Sequence, residues 1–291
     1  MIDTPPQSHR PMRSVLYVPA VNQRAIQKAR TLPVDALILD LEDAVIPERK
    51  DEARRTALAA VGTGGFGHRL VVIRVNGLDT PWGRDDLLAC AEAPLDAVLL
   101  PKVGGTHVVE AARSSLPPDM AIWTMMETPA AILRAEAIAA APDVAGLVIG
   151  TNDLASALGL PDVPDRAPLL QAIQFCLLAA RAAGVPCIDG VHNAIDDREA
   201  FRTECLQGRM LGLDGKSLIH PAQIDLVNDV FSPTKAELDQ ARRRVDAFDR
   251  ALAEGQGVAV LDGRIVEGLH VDMARRTLAR WEAIRSMKGT G

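Results

Sequence analysis

Short runs of aliphatic and β-branched residues recur along this chain, and nearly every one leads into an Ala-rich amphipathic segment. The runs predict strands at 14–18, 35–41, 70–75, 96–100, 121–126, 144–149, 185–189 and 209–213. The amphipathic segments predict helices at 22–31, 48–61, 83–92, 106–114, 129–140, 168–183 and 197–207. A strand joined to the next strand through a helix must run parallel to it, so the pattern specifies a parallel α/β sheet. Eight such units fit a (β/α)8 TIM barrel. The alternative is a doubly wound open sheet. Its Gly-rich turn is missing, because "YVPAVNQ" stands where G-x-G-x-x-G should follow the first strand.

The glycines of "VGTGGFGHR" (61–69) invite a phosphate-loop reading. They fall after a helix and before a strand, on the side of a barrel opposite its phosphate sites, so a helix-to-strand turn is the expectation. Residues 1–12 read as a loose Pro-containing tail, 13–232 as the barrel, and 233–291 as a helical C-terminal extension. That extension opens with a helix capped by Ser232 or Thr234. A "GVAVLDGRIV" hairpin follows, and then a last helix from about Val271 to Met287.

Composition narrows the function classes. With 3% aromatic residues, a net charge of −6 and no long basic run, the chain lacks the footprint of a nucleic-acid binder. No apolar run is long enough to span a membrane, and the first residues contain no apolar signal region. Four cysteines in apolar neighbourhoods, none in a C-x-x-C pair, suit core positions in a reducing cytoplasm.

In a parallel barrel the chemistry collects where strands end. Here those ends carry Tyr17, then Asp40, Glu42 and Asp43 of "LILDLEDAV", Arg74 and Asn76, Lys102, Glu127 and Thr128, Asn152 and Asp153, and Asp189. So many ionisable groups at one end are costly unless opposite charges neutralise them. A carboxylate-rich set without His or Cys suits a hard cation, Mg2+ before Mn2+, with Glu127 and Asp153 as the ligand pair. Arg74 suits a bidentate grip on a carboxylate. Asp43 is a spare carboxylate able to move a proton. Metal, Arg and acid together suit a 2-oxo acid and carbon–carbon chemistry through an enolate.

These motifs resemble a known family. "RSVLYVPA" (13–20), "LDLEDAV", "RVNG", "LPKV", "METP", "GTNDLA" and "GKSLIHPAQI" (215–224) are similar, in order, to those of the citrate lyase beta-subunit-like enzymes of the HpcH/HpaI aldolase superfamily. Malyl-CoA and citramalyl-CoA lyases belong to that group. The resemblance implies a TIM barrel with a C-terminal helical extension, assembled as a trimer or hexamer. It matches Glu127 and Asp153 to Mg2+ ligands and Arg74 to the residue that grips the oxo acid. It matches Glu42 and Asp43 to the acidic pair beside the reacting carbons, and Lys102 to the Lys at the fourth strand end. CoA phosphates would lie near Arg13, Arg24 and Lys28, and Tyr17 would face the substrate. Lyases of this family carry an Asp in the tail that reaches a neighbouring subunit's site; Glu267 stands in that place here.

The expected activity is a Mg2+-dependent carbon–carbon lyase, or the reverse synthase. Its substrate would be a 3-hydroxyacyl-CoA such as malyl-CoA or citramalyl-CoA, and its products acetyl-CoA and glyoxylate or pyruvate. The alternatives are a malate-synthase-like or thioesterase activity on the same scaffold, a CoA-independent pyruvate aldolase, and a non-catalytic acyl-thioester-binding subunit.

Overall fold

Side chains on a strand point alternately to its two faces, and most strands of this chain are apolar on both. Ala36, Ile38, Val72, Leu99, Trp123, Met125, Val148 and Ile188 pack together in one cluster. Leu37, Leu39, Val71, Ile73, Val98, Leu100, Leu147 and Ile149, of the opposite parity, pack in a second, larger cluster with helix residues such as Ile26, Ala53, Leu87 and Val109. A sheet with these two apolar faces must be covered by helices on one side and closed on itself on the other.

The structure, a computed structural model, describes residues 10–161 and 165–288. Its strands are β1 (Ser14–Pro19), β2 (Ala36–Asp40), β3 (Leu70–Arg74), β4 (Ala97–Leu100), β5 (Ala121–Met126), β6 (Val144–Ile149), β7 (Cys187–Asp189) and β8 (Gly215–Leu218). They form a closed, all-parallel barrel in sequential order, and β8 pairs back to β1. The helices around it are α1 (Gln23–Ala29), α2 (Lys50–Thr63), α3 (Gly83–Ala91), α4 (Thr106–Arg113), α5 (Pro129–Leu133), α6 (Ala135–Ala139), α7 (Thr151–Ala157), α8 (Leu170–Ala183), α9 (Arg198–Leu211) and α10 (Ile224–Val230).

Three local expectations need correction. The eighth strand is "GKSL", not "RMLGL": Arg209–Leu211 is the last turn of α9, which Gly212 ends in a left-handed conformation at φ 103°. The true strand was hidden by a charged residue, Lys216, which is fully buried. The strand also requires a glycine, since a Cβ at Gly215 would lie 1.7 Å from the Met12 carbonyl oxygen on β1's side. The second correction is Met12, assigned above to the tail; it is buried and packs with the barrel-interior cluster. The tail expectation for residues 1–9 lies outside the described residues. The third is α7, a helix where only a strand end was anticipated, so Asp153 sits in its first turn. The glycine-rich stretch is the expected turn between α2 and β3.

Met12–Phe231 form one compact unit, and the chain from Ser232 onward another. In the latter, α11 (Lys235–Ala253) begins at a capping box. Thr234 Oγ1 accepts from the Glu237 N–H at 3.2 Å, and Glu237 accepts from the Thr234 N–H at 2.7 Å. A hairpin of β9 (Ala259–Leu261) and β10 (Arg264–Val266) turns through Asp262 and Gly263, both at positive φ. Then α12 (Gly268–Lys288) packs along α11. Among the described residues no helix is long and apolar enough to cross a membrane.

Candidate active site

Strand parity decides which polar residues meet. Tyr17, Asp40, Arg74 and Glu127 continue the interior parity of Val15, Ile38, Val72 and Met125, so all four turn into the C-terminal mouth of the barrel. Register does the rest. Asp40 lies directly beside Arg74 across the β2–β3 pair.

Arg74 is 7% exposed and its charge is matched at once. Its Nε donates to Asp40 Oδ1 and its Nη2 to Asp40 Oδ2, both at 2.6 Å. The bidentate fork expected for a substrate carboxylate is therefore taken by Asp40. The remaining nitrogen, Nη1, lies 2.9 Å from Glu42 Oε2 and 3.5 Å from Asp43 Oδ2. The guanidinium also stacks over the Tyr17 ring at 5.0 Å, while the Tyr17 hydroxyl donates to Met125 Sδ at 3.3 Å. Burial first, together with the surrounding carboxylates, keeps that phenol protonated by raising its pKa well above the ordinary range.

Asp40 has a second task. Its oxygens accept the backbone N–H groups of Glu42 and Ala44, at 3.0 and 3.1 Å, and so wind the chain just past β2 into a tight turn. Lys50, which the strand-end reading missed because it belongs to a helix, donates to the carbonyls of Leu41 and Glu42 at 2.8 Å each. The turn thus presents Glu42 inward, 6% exposed, and leaves the Asp43 side chain 54% exposed at the mouth.

Lys102 closes the ring of charges. Its Nζ donates to Glu42 Oε1 at 2.6 Å and stands 3.6 Å from Asp43. Its backbone N–H donates to Glu127 Oε1 at 2.6 Å. The other Glu127 oxygen, Oε2, is buried and has no hydrogen-bond partner. Burial first, with Glu42 and Asp153 adding repulsion, lifts the Glu127 carboxyl to about 7. Room for it comes from Gly150 at the end of β6, where a Cβ would fall 2.4 Å from Glu127 Cβ. Burial likewise raises the Glu42 pKa, against the pull of Arg74 and Lys102.

A buried carboxylate with one oxygen held by a backbone N–H and the other bare fits a cation. No cluster of three or more His, Cys, Asp or Glu able to hold a metal exists among the described residues. Asp153 is near enough to Glu127 to add to its repulsion, and two carboxylates would leave a hard ion most of its sites for water and other oxygens.

Other expected residues lie elsewhere. Arg13 precedes β1 at the opposite end of the barrel. It is 4% exposed and held by Asp35 through Nε at 2.9 Å and Nη2 at 2.7 Å, so it is removed from the phosphate-binding set. Arg24 lines a cavity of about 600 Å³ with Pro19, Val21, Asn22, Gln23, Arg49 and Glu52. Lys28 is exposed on the same helix, and Arg49 is a cation that the sequence reading missed. Asp189 points outward, to Arg166 at 2.6 Å and Lys216 at 3.2 Å. Asn76 is spent on Asp86 at 2.7 Å. Thr128 caps α5 by accepting the Ala131 N–H at 3.0 Å. Asn152 exchanges hydrogen bonds with Asn193 at the mouth. Glu267 belongs to the C-terminal unit, just before α12, where its N–H donates to His270 Nδ1 at 3.1 Å. The four cysteines are unpaired and buried.

Known proteins share both this barrel and its extension. A (3S)-malyl-CoA thioesterase from Cereibacter sphaeroides (strain KD131 / KCTC 12085) is 51% identical over 284 residues, covering 98% of this chain and 99% of the relative. The citrate lyase subunit beta of Escherichia coli (strain K12) is 37% identical, covering 94% of each chain. Among solved structures, the protein CitE from Mycobacterium tuberculosis, in complex with magnesium, acetoacetate and coenzyme A, superposes with a TM-score of 0.79 at 28% identity. That match covers 94% of this chain and 98% of the other. The family model for HpcH/HpaI aldolase/citrate lyase matches residues 13–221, a span that holds all eight barrel strands and the ring of strand-end charges. With the barrel, the order of its motifs and the full-length relatives in agreement, this chain belongs to the HpcH/HpaI aldolase/citrate lyase family.

Proposed function

We propose that this protein is a Mg2+-dependent thioesterase that hydrolyses a malyl-type 3-hydroxyacyl-CoA. One observation carries the reading: at a mouth where Arg74 and Lys102 already have carboxylate partners, Glu127 Oε2 is buried and bare, with Asp153 beside it. The choice of hydrolysis over carbon–carbon cleavage follows the full-length likeness to malyl-CoA thioesterases. The magnesium and coenzyme A bound by the CitE structure support the ligand classes. Cleavage is the second reading, favoured by the likeness to citrate lyase subunit beta.

Glu127 and Asp153 would hold Mg2+, which when bound polarises the acyl oxygens. Arg74 Nη1, which Asp40 does not hold, exchanges its 2.9 Å contact with Glu42 for the terminal carboxylate of the malyl group, while Lys102 keeps Glu42 paired. Asp43, on the open side of the mouth, takes a proton from water as the water oxygen adds to the thioester carbonyl. The C–S bond then breaks, and that proton passes to the leaving sulfur, giving free CoA and malate. Arg24 and Arg49 in the groove beside Pro19 bind the CoA phosphates. The active form is a homo-oligomer in which the C-terminal unit contacts a neighbouring subunit and Glu267 completes the neighbour's site.

The test is an assay of malyl-CoA with Mg2+ that follows free thiol and glyoxylate separately. Hydrolysis yields one thiol per substrate and no glyoxylate, and EDTA abolishes it until Mg2+ is restored. Glyoxylate without thiol would establish cleavage instead. Glu127→Gln and Asp153→Asn should each weaken Mg2+ binding by calorimetry, and Arg24→Ala should raise KM with kcat retained.

A further inference from the structure

Lys102 adopts φ 49°, a left-handed conformation that costs an L-residue free energy and glycine almost nothing. The other described non-glycine residues at positive φ are Asp143 and Asp262, of a type that tolerates this region. Lys does not share that tolerance, and Lys102 sits two residues past β4, with Gly104 and Gly105 two and three positions further on. Two contacts coincide with the unusual backbone. The Lys102 N–H meets Glu127 Oε1 at 2.6 Å, and its ammonium meets Glu42 Oε1 at 2.6 Å.

From this geometry we infer that Lys102 is a positioning residue for the cation site. The Pro101–Lys102 peptide aims an N–H at Glu127 Oε1 so that Oε2 alone is presented for a ligand; with the chain held on both sides, that orientation of the peptide goes with the left-handed φ at Lys102, and the ammonium, fastened to Glu42, holds it there. The inference rests on the reading of Glu127 as a Mg2+ ligand. The two roles are separable, because one belongs to the peptide and the other to the side chain. A glycine keeps the peptide role and loses the ammonium. An alanine loses the ammonium as well, but retains the Cβ that makes the left-handed region unfavourable. Without the tether to Glu42, alanine relaxes toward extended backbone and withdraws its N–H.

Titrating Mg2+ by calorimetry into the parent, Lys102→Gly, Lys102→Ala and Lys102→Ser tests this without any turnover. Both kinds of variant lack the same charge, so their comparison cancels the electrostatic change. Lys102→Gly should bind Mg2+ about fivefold to thirtyfold more tightly than Lys102→Ala, the factor set by the left-handed penalty. Lys102→Ser should follow alanine, and it decides the matter if alanine does not fold. Equal affinities in the glycine and Cβ-bearing variants, beside a parent that binds Mg2+, would overturn the inference about Lys102 alone. A parent that binds no Mg2+, or Glu127→Gln binding as tightly as the parent, would overturn the metal assignment and the inference with it.

Discussion

Asp43 and Glu42 are neighbours in sequence with opposite environments. Glu42 is buried between Arg74 and Lys102, whereas the Asp43 side chain is half-exposed and only 3.5–3.6 Å from the same two cations. A base that exchanges protons with water needs such a position, since a fully buried carboxylate would have to be recharged through the protein. Asp43→Asn keeps the shape of the turn, whose backbone is fixed by Asp40 rather than Asp43. Turnover should fall by about 10²–10⁴, the usual worth of a general base. Mg2+ affinity by calorimetry and the unfolding midpoint should stay near the parent's. Near-parental turnover would remove Asp43 from the acid–base role. The inward set was legible because Tyr17, Asp40, Arg74 and Glu127 share strand parity with apolar interior residues. The outward turn of Asp189 was legible by the same rule. That Arg74 neutralises this acidic stretch was legible too; which carboxylate holds which edge of it was not, because Asp40, Glu42 and Asp43 are equally placed by sequence spacing.

At the scale of elements, the loop after β7 is tied down by a buried ionic cluster on the outer side of the barrel. Lys216 Nζ on β8 donates to Glu204 Oε1 on α9 at 2.5 Å and to the Gly190 carbonyl at 2.6 Å. Glu204 Oε2 meets His192 Nδ1 at 2.8 Å, and Arg166 Nη1 lies 3.6 Å from Glu204 Oε1. A Cβ at Gly190 would fall 2.5 Å from Thr151 Oγ1, so this loop abuts the helix that carries Asp153. Burial raises the Glu204 pKa, but Lys216 and then Arg166 and His192 outweigh it, and the net shift is downward. A depressed folded pKa contributes stability above the unfolded value of about 4.3, and that stability is lost as pH falls through the folded value. Glu204→Gln should therefore destabilise the protein by about 1.5–3 kcal/mol near neutral pH, as for a hydrogen bond to a charged group. Thermal unfolding from pH 3 to 7 should show that difference shrinking in acid. A difference independent of pH would mean that packing, not charge, is the contribution of Glu204. The same cluster explains why β8 escaped recognition: a strand with a lysine at its centre carries no apolar signature, and only partners distant in sequence make its burial tolerable.

For the whole molecule, the question is whether one chain holds a complete site. Glu267 sits before α12 in the C-terminal unit, and the ring of charges belongs to the barrel unit. If it serves a neighbouring subunit, Glu267→Ala should lose turnover while binding Mg2+ as the parent does. Exchanging its subunits with those of Asp43→Asn should then restore activity that neither variant has alone, because some sites combine an intact barrel with an intact tail. No recovery, with exchange verified by mass, would confine Glu267 to its own chain or to no catalytic part. The first seven apolar runs and the helices between them made the parallel α/β barrel legible from sequence alone, because period-two and period-3.6 patterning is local; the eighth strand was not among them. The capped helix and the "GVAVLDGRIV" hairpin of the extension were legible in the same way, while the structure decided for Thr234 over Ser232 as the cap. Only the tertiary structure decided that Asp40 occupies the fork of Arg74, that Arg13 is sealed at the far end of the barrel, and that Lys102 serves Glu127 through its backbone. Those outcomes depend on strand register, on a partner for Arg13 twenty-two residues away and on a single φ angle, none of which is encoded in the spacing of residues along the chain.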